Sequence, residues 1–206
     1  MIKARHHFYI YPFFQRYTLR KLRKKFSGLE IVGEFYDDGL PVLLLANHIS
    51  WWDGFWAMYL NLKVLHRKFH FMMLESQLKK HWYFNHSGGF SVRRNSRSII
   101  ESLGYTSELL SNPKNMVLLF PQGELHSLYD TEVRFEKGLK RILQNTDNEF
   151  KIVFSANLPE YFDNPRPALY LHHKTYHGEY TFEAIEQGYN AFFREVITYH
   201  KNIDRR

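Results

Sequence analysis

The sequence predicts an α/β fold: a single domain with a largely parallel, mixed sheet flanked by helices and preceded by a basic, aromatic N-terminal helix. Two observations carry that expectation. Apolar runs of strand length at residues 42–46, 69–74 and 116–120 alternate with stretches of helical spacing. The 206 residues, 44% hydrophobic and without a Gly/Ser-rich linker or a repeat, suit one compact core.

Taken in order, Pro12 suits the start of a helix that runs to Phe26. Such a helix sets Gln15, Thr18, Leu19, Leu22 and Phe26 on one side, with Phe13, Phe14 and Tyr17 opposite among Arg16, Arg20, Lys21 and Lys24. Rings mixed with cations suit a lipid headgroup layer, whereas the plainer reading is a core-packed helix with a solvated basic side. Residues 29–35 read as a strand, followed by the turn Asp37-Asp38-Gly39 and a buried strand over 41–46. Ser50 is placed to cap a helix over 51–60. Strands follow at 69–74 and, after a glycine turn, within 87–94. A helix over 96–110 ends at Ser111-Asn112-Pro113, and a strand at 116–120 opens into Pro121-Gln122-Gly123-Glu124. A helix over 134–144, strands at 151–158 and 168–171, and a helix over 184–200 complete the chain.

Charge divides the chain unevenly. The formal net charge is +7, and residues 1–29 hold eight of the 28 Lys/Arg with no acid, leaving 20 bases against 21 acids elsewhere. We therefore divide the chain into a basic amphipathic segment, 1–28, expected to contact a membrane, and a main domain, 29–206. A basic arm on a near-neutral body points to a polyanionic partner: anionic lipid, nucleic acid or an acidic protein. No run approaches the roughly 18 apolar residues of a membrane span, and the N-terminus lacks the pattern of a signal peptide. The expectation is a cytoplasmic protein, peripheral on the inner face of the cell membrane. The absence of cysteine excludes disulfides, thiolate metal sites and a cysteine nucleophile. No Gly-x-Ser-x-Gly elbow or Gly-Lys-Ser/Thr phosphate loop occurs, against a standard serine hydrolase or nucleotide hydrolase.

Asn47-His48-Ile49-Ser50-Trp51-Trp52-Asp53 follows directly on a buried strand, where open α/β sheets carry their ligands. His48 and Asp53 suit general-base catalysis: the imidazole takes a hydroxyl proton, and a carboxylate on its far nitrogen fixes the tautomer and stabilises the imidazolium. Five residues span about 140° of an ideal helix, so the pair meets only if His48 lies in the turn and Asp53 in the first helical turn. Ser50-x-x-Asp53 is equally a capping box, in which Asp53 only secures the helix end. Two further segments lie downstream. Phe120-Pro121-Gln122-Gly123 closes an apolar strand, and Gly89-Phe90-Ser91-Val92-Arg93-Arg94 offers cations to a phosphate or carboxylate, or two solvated arginines.

These three segments resemble the first three signature blocks of the glycerolipid acyltransferases, which include the 1-acylglycerol-3-phosphate acyltransferases. They are Asn47-His48-x-Ser50-x-x-Asp53, the stretch ending at Arg94, and Phe120-Pro121-x-Gly123. Their order matches, with Arg94 and Gly123 lying 46 and 75 residues after His48, and Phe135-x-x-Gly138 resembles the segment that usually comes next in the family. The resemblance implies a glycerol-3-phosphate acyltransferase-like fold and direct acyl transfer to a hydroxyl of a lipid or glycolipid. The donor is acyl-coenzyme A or an acyl carrier protein as co-substrate, with no cofactor and no metal. His48 is the implied base and Asp53 its orienting acid. Asn47, Ser50, Arg93, Arg94, Phe120, Pro121, Gln122, Gly123 and Glu124 are the implied substrate-binding residues.

The sequence also departs from the family. The third block usually reads Phe-Pro-Glu-Gly-Thr-Arg-Ser, but here Gln122 replaces the glutamate and Leu125 the arginine expected to hold an acceptor phosphate, while Glu124 repels one. The fourth block lacks its proline, reading Ile152-Val153-Phe154-Ser155. The expected acceptor is therefore less anionic than lysophosphatidic acid. Two alternatives stand beside this reading. One is a nucleic-acid-binding module using the basic aromatic arm, against which the charge excess stops near Lys25 and no nucleic-acid motif occurs downstream. The other is a family member that binds lipid without catalysis. His172-His173-x-x-x-His177 has metal-ligand character, but no carboxylate cluster in the sequence supports a metal there.

Overall fold

The computed structural model describes residues 1–93, 97–146 and 148–203. A seven-stranded sheet runs in the order β1-β7-β6-β2-β5-β3-β4. The strands are β1 Gly28–Val32, β2 Val42–Ala46, β3 Lys68–Leu74, β4 Gly89–Val92, β5 Asn115–Leu119, β6 Lys151–Glu160 and β7 Ala168–Thr175. Every neighbouring pair is parallel except β6 and β7, which are antiparallel. The helices are α1 Ile10–Lys25, α2 Asp53–Leu60, α3 Glu75–Lys80, α4 Arg97–Leu109, α5 Gly138–Asn145 and α6 Phe182–Asn202.

Strand β2 explains the layering. All five of its residues are buried, as a parallel strand covered on both faces requires. Leu43 and Leu45 join the core formed with residues of α4, α5 and α6, including Leu103, Ile142 and Tyr189. Val42, Leu44 and Ala46 face the core shared with Phe14 and Leu22 of α1 and with Phe55 and Trp56 of α2. The alternation of side chains thus makes three layers around a central sheet.

The differences from the sequence expectation have local causes. The first strand stops at Val32, because Gly33 adopts φ +133 and a Cβ there would lie 2.0 Å from the His173 carbonyl oxygen. The stretch 133–137 is not helical. The Val133 and Phe135 N–H groups donate to the side chains of Asn190 and Glu186 on α6, at 2.8 and 2.7 Å, and are drawn away from any helix ladder. Helix α3 and a 3₁₀ helix over Trp82–Ser87 are too short to leave a periodic signal. On α1, Phe14 belongs to the core and not to the basic face: its ring meets Phe55 and Phe84. Pro12 sits within the first turn, where its missing N–H costs nothing.

The first nine residues run along the outer edge of the sheet. The Ser91 N–H of β4 donates to the Ile2 carbonyl at 3.0 Å, and the Arg5 and His7 N–H groups donate to the carbonyls of Asn85 and His86. This covers the exposed edge strand, which would otherwise offer itself to another chain.

Candidate active site

His48 leaves β2 at its carboxyl end, one residue beyond Asn47. Asn47 is buried, and its side-chain amide continues the sheet: Oδ1 accepts from the Asn157 N–H at 2.8 Å and Nδ2 donates to the Asn157 carbonyl at 3.1 Å. Both ends of that amide are occupied by β6. The side chain pins the chain where the ladder stops, so that His48 turns out of the sheet.

Asp53 then closes the turn. Its Oδ2 lies 2.7 Å from His48 Nδ1, and it accepts from the Ile49 and Ser50 N–H groups at 2.7 and 2.9 Å. One carboxylate oxygen thus bonds both the backbone at the helix start and the imidazole. Because Asp53 draws in residues 49 and 50, helix α2 begins at Asp53 and not at residue 51. Ser50 Oγ accepts from the Trp52 N–H at 3.1 Å, a turn role distinct from the helix cap expected of it. Asp53 is 0% exposed, whereas the His48 side chain is 26% exposed. Burial pushes the Asp53 carboxyl above its ordinary value, while the bonds from His48, Ser50 and Ile49 act in the opposite direction. With Nδ1 committed to Asp53, Nε2 is the ring nitrogen left to exchange a proton.

The turn after β5 completes the site. Leu45 of β2 lies opposite Leu119 of β5, so the two chains emerge side by side. The Phe120 ring stacks on the His48 imidazole, with centroids 4.1 Å apart and planes 9° from parallel. Gln122 is buried, and its Oε1 accepts the His48 backbone N–H at 2.7 Å. The His126 N–H donates to the His48 carbonyl at 2.8 Å. His48 is thus held through its backbone on both sides, through Nδ1 and across one ring face. Replacement of the family's glutamate by Gln122 is accommodated because the contact needs only an acceptor oxygen. Pro121 is buried beneath the turn, and Gly123 closes it at φ +73, with its N–H donating to the Phe120 carbonyl at 3.1 Å. Glu124 and Leu125 are exposed just beyond.

Arg93 does not join this group. It follows β4, three strands from β2 at about 4.8 Å each, or roughly 14 Å across the sheet. Its guanidinium forms two 2.7 Å bonds to Glu75, which also pairs with Lys79 at 2.8 Å. Arg93 and Lys79 together hold the Glu75 carboxyl down to about 2. Arg93 is thus engaged bidentately by Glu75. Arg94 lies outside the described residues.

A cavity of about 810 Å³ lies elsewhere. Its lining includes Val32, Lys151, His173 and Tyr176, at the end of the sheet opposite His48. His172 lines it too, with Nε2 2.9 Å from His200 Nε2, and His177 is exposed at its rim. Among the described residues, no group of three or more His, Cys, Asp or Glu could hold a metal ion.

A buried carboxylate thus stands behind an imidazole at the carboxyl end of a parallel strand. A family model described as Acyltransferase matches residues 23–155, and the chain belongs to the acyltransferase family. No curated protein matches it. Five chains of solved structures do. One is the 1-acyl-sn-glycerophosphate (LPA) acyltransferase PlsC from Thermotoga maritima. It is similar at a TM-score of 0.67 and 15% identity, over 95% of this chain and 81% of that one. At that identity the likeness is one of fold.

The Gln122 contact yields a direct expectation. Gln122→Ala removes the partner of the part-buried His48 N–H and should lower unfolding stability in urea by about 1–3 kcal/mol. Gln122→Glu, which keeps an acceptor there, should lose less. Equal losses in the two variants would argue against the contact.

Proposed function

We propose that the chain transfers a fatty acyl group from acyl-coenzyme A or an acyl carrier protein to a hydroxyl of a lipid or glycolipid acceptor. The observation that carries this reading is the 2.7 Å contact between His48 Nδ1 and the buried Asp53. The acceptor hydroxyl gives its proton to His48 Nε2 as its oxygen attacks the thioester carbonyl. The C–S bond breaks as the new C–O bond is retained, and the imidazolium returns the proton to the departing thiolate. Asp53 stabilises the imidazolium between the two transfers. His48→Ala should reduce transfer by a factor on the order of 10² or more, with the circular dichroism spectrum unchanged. Retained activity in a folded variant would remove His48 as the base.

The acceptor side favours a headgroup with less negative charge than a phosphate monoester. Leu125 stands where the family carries an arginine, Glu124 is exposed beside it, and Arg93 is engaged with Glu75. The comparison protein from Thermotoga maritima bears the name of an enzyme of 1-acyl-sn-glycerophosphate. In paired assays on acceptors differing only in the phosphate, this chain should acylate the unphosphorylated member faster. Preference for lysophosphatidic acid would overturn that part of the reading.

The protein works at a membrane surface, on the inner face of the cell membrane, in this proposal. Phe8, Tyr9, Phe13, Trp51 and Trp82 are all more than half exposed, with Arg16, Arg20, Arg23, Lys24 and Lys25 exposed along α1. Ring contacts run from Trp51 through Phe55 and Phe14 to Phe84, so the aromatic surface adjoins the His48 turn. Among the described residues, no helix is long and apolar enough to cross a membrane. Flotation with anionic vesicles should recover the protein, and Phe8→Ser with Phe13→Ser should release it. Salt-sensitive binding to single-stranded nucleic acid without vesicle binding would favour the nucleic-acid reading instead.

A further inference from the structure

We infer that Phe120 is a positioning residue for the transfer step, one that holds His48 by its face and stabilises the imidazolium once the proton is taken. The inference rests on the reading of His48 as the base. It goes beyond the expectation that Phe120 merely lines the acceptor pocket.

Three features support it. The first is orientation. The two rings lie 4.1 Å apart and 9° from parallel, so the imidazole presents its face, not its edge, to the phenyl π cloud. An aromatic face is electron-rich and attracts a cation within about 6 Å of its centre. The second is rigidity. Phe120 precedes Pro121, which restricts it to an extended backbone, and Pro121 is buried. The turn is also closed by the bond from the Gly123 N–H to the Phe120 carbonyl. The phenyl ring is therefore in place before the proton moves. The third is division of labour. Asp53 acts in the plane of the imidazole through Nδ1, while Gln122 and His126 hold only the backbone of His48. One imidazole face belongs to Phe120, which shields it from water, and an in-plane carboxylate cannot supply that contact.

In acyl transfer, positive charge develops on His48 as the hydroxyl is deprotonated, so a group that favours the charged ring acts where it counts. It assists the first proton transfer and leaves donor binding untouched. Removing the ring face while keeping an apolar side chain separates this role from simple packing.

The test uses the full chain and two readouts. In Phe120→Leu, the nuclear magnetic resonance titration midpoint of the His48 ring should fall by about half a unit to one unit relative to the parent. The corresponding kcat should fall about three- to tenfold, with the acidic limb of its pH profile moved to lower pH and KM for the acyl donor unchanged. Phe120→Tyr, which keeps an aromatic face, should retain both values. Phe120→Met takes the place of the leucine variant if that variant does not fold. An unmoved midpoint in a folded Leu or Met variant overturns the inference, as does a Tyr variant as impaired as Leu. The titration does not depend on turnover. An active His48→Ala protein would therefore defeat the base reading, while the titration would still decide whether Phe120 favours the charged ring.

Discussion

A single carboxylate oxygen organises the site. Asp53 Oδ2 meets the His48 ring and the N–H groups of Ile49 and Ser50, all within 2.9 Å, in a place closed to solvent. A buried carboxylate is costly unless its hydrogen-bonding capacity is used. Here the bonds that compensate its burial are the same ones that shape the turn and aim the imidazole. The start of α2 and the direction of His48 are therefore not independent features. Asp53 Oδ1 is buried without a partner among the described residues, so all three bonds fall on Oδ2, and a shift of either feature would cost that oxygen bonds; the direction of the imidazole is thus tied to the stability of the turn.

The second constraint is the pairing of β2 with β5. Leu45 lies opposite Leu119, and this register delivers Phe120 and Gln122 to His48 from more than seventy residues away in sequence. Backbone clamps on both sides of His48 leave the ring little freedom. In the proposed mechanism, preorganisation of this kind means that charge develops on the imidazole without rearrangement around it. It also gives a reason for the glutamine in the turn. Gln122 is valued for an oxygen facing a peptide N–H, and an amide presents that oxygen without adding a second negative charge beside Asp53.

Charge on the rest of the surface is arranged so that most of it stays away from this turn. Arg93 and Lys79 are spent on Glu75 at the far edge of the sheet, and the basic face of α1 points outward. Glu124, two residues past Gln122, is exposed. Beyond it, the aromatic surface formed around Trp51 and α1 gives an apolar margin close to the site.

The α/β class, the central buried strands and the His48–Asp53 contact were legible in the sequence, because apolar periodicity and short-range spacing are local properties. The strand at residues 42–46 is wholly apolar and could only be buried on both faces, and Asp53 is near enough in sequence for its meeting with His48 to be foreseen. The roles of Asn47, Phe120, Gln122 and Arg93 were decided by tertiary structure. Asn47 meets Asn157, Phe120 and Gln122 meet His48, and Arg93 meets Glu75 only after the strands have taken their order. The same holds for residues 133–137, whose backbone is captured by α6 before it can join a helix. Those partners are set by strand register and layer packing, and a linear pattern of residue types does not encode which distant side chain will satisfy a given donor or face a given ring.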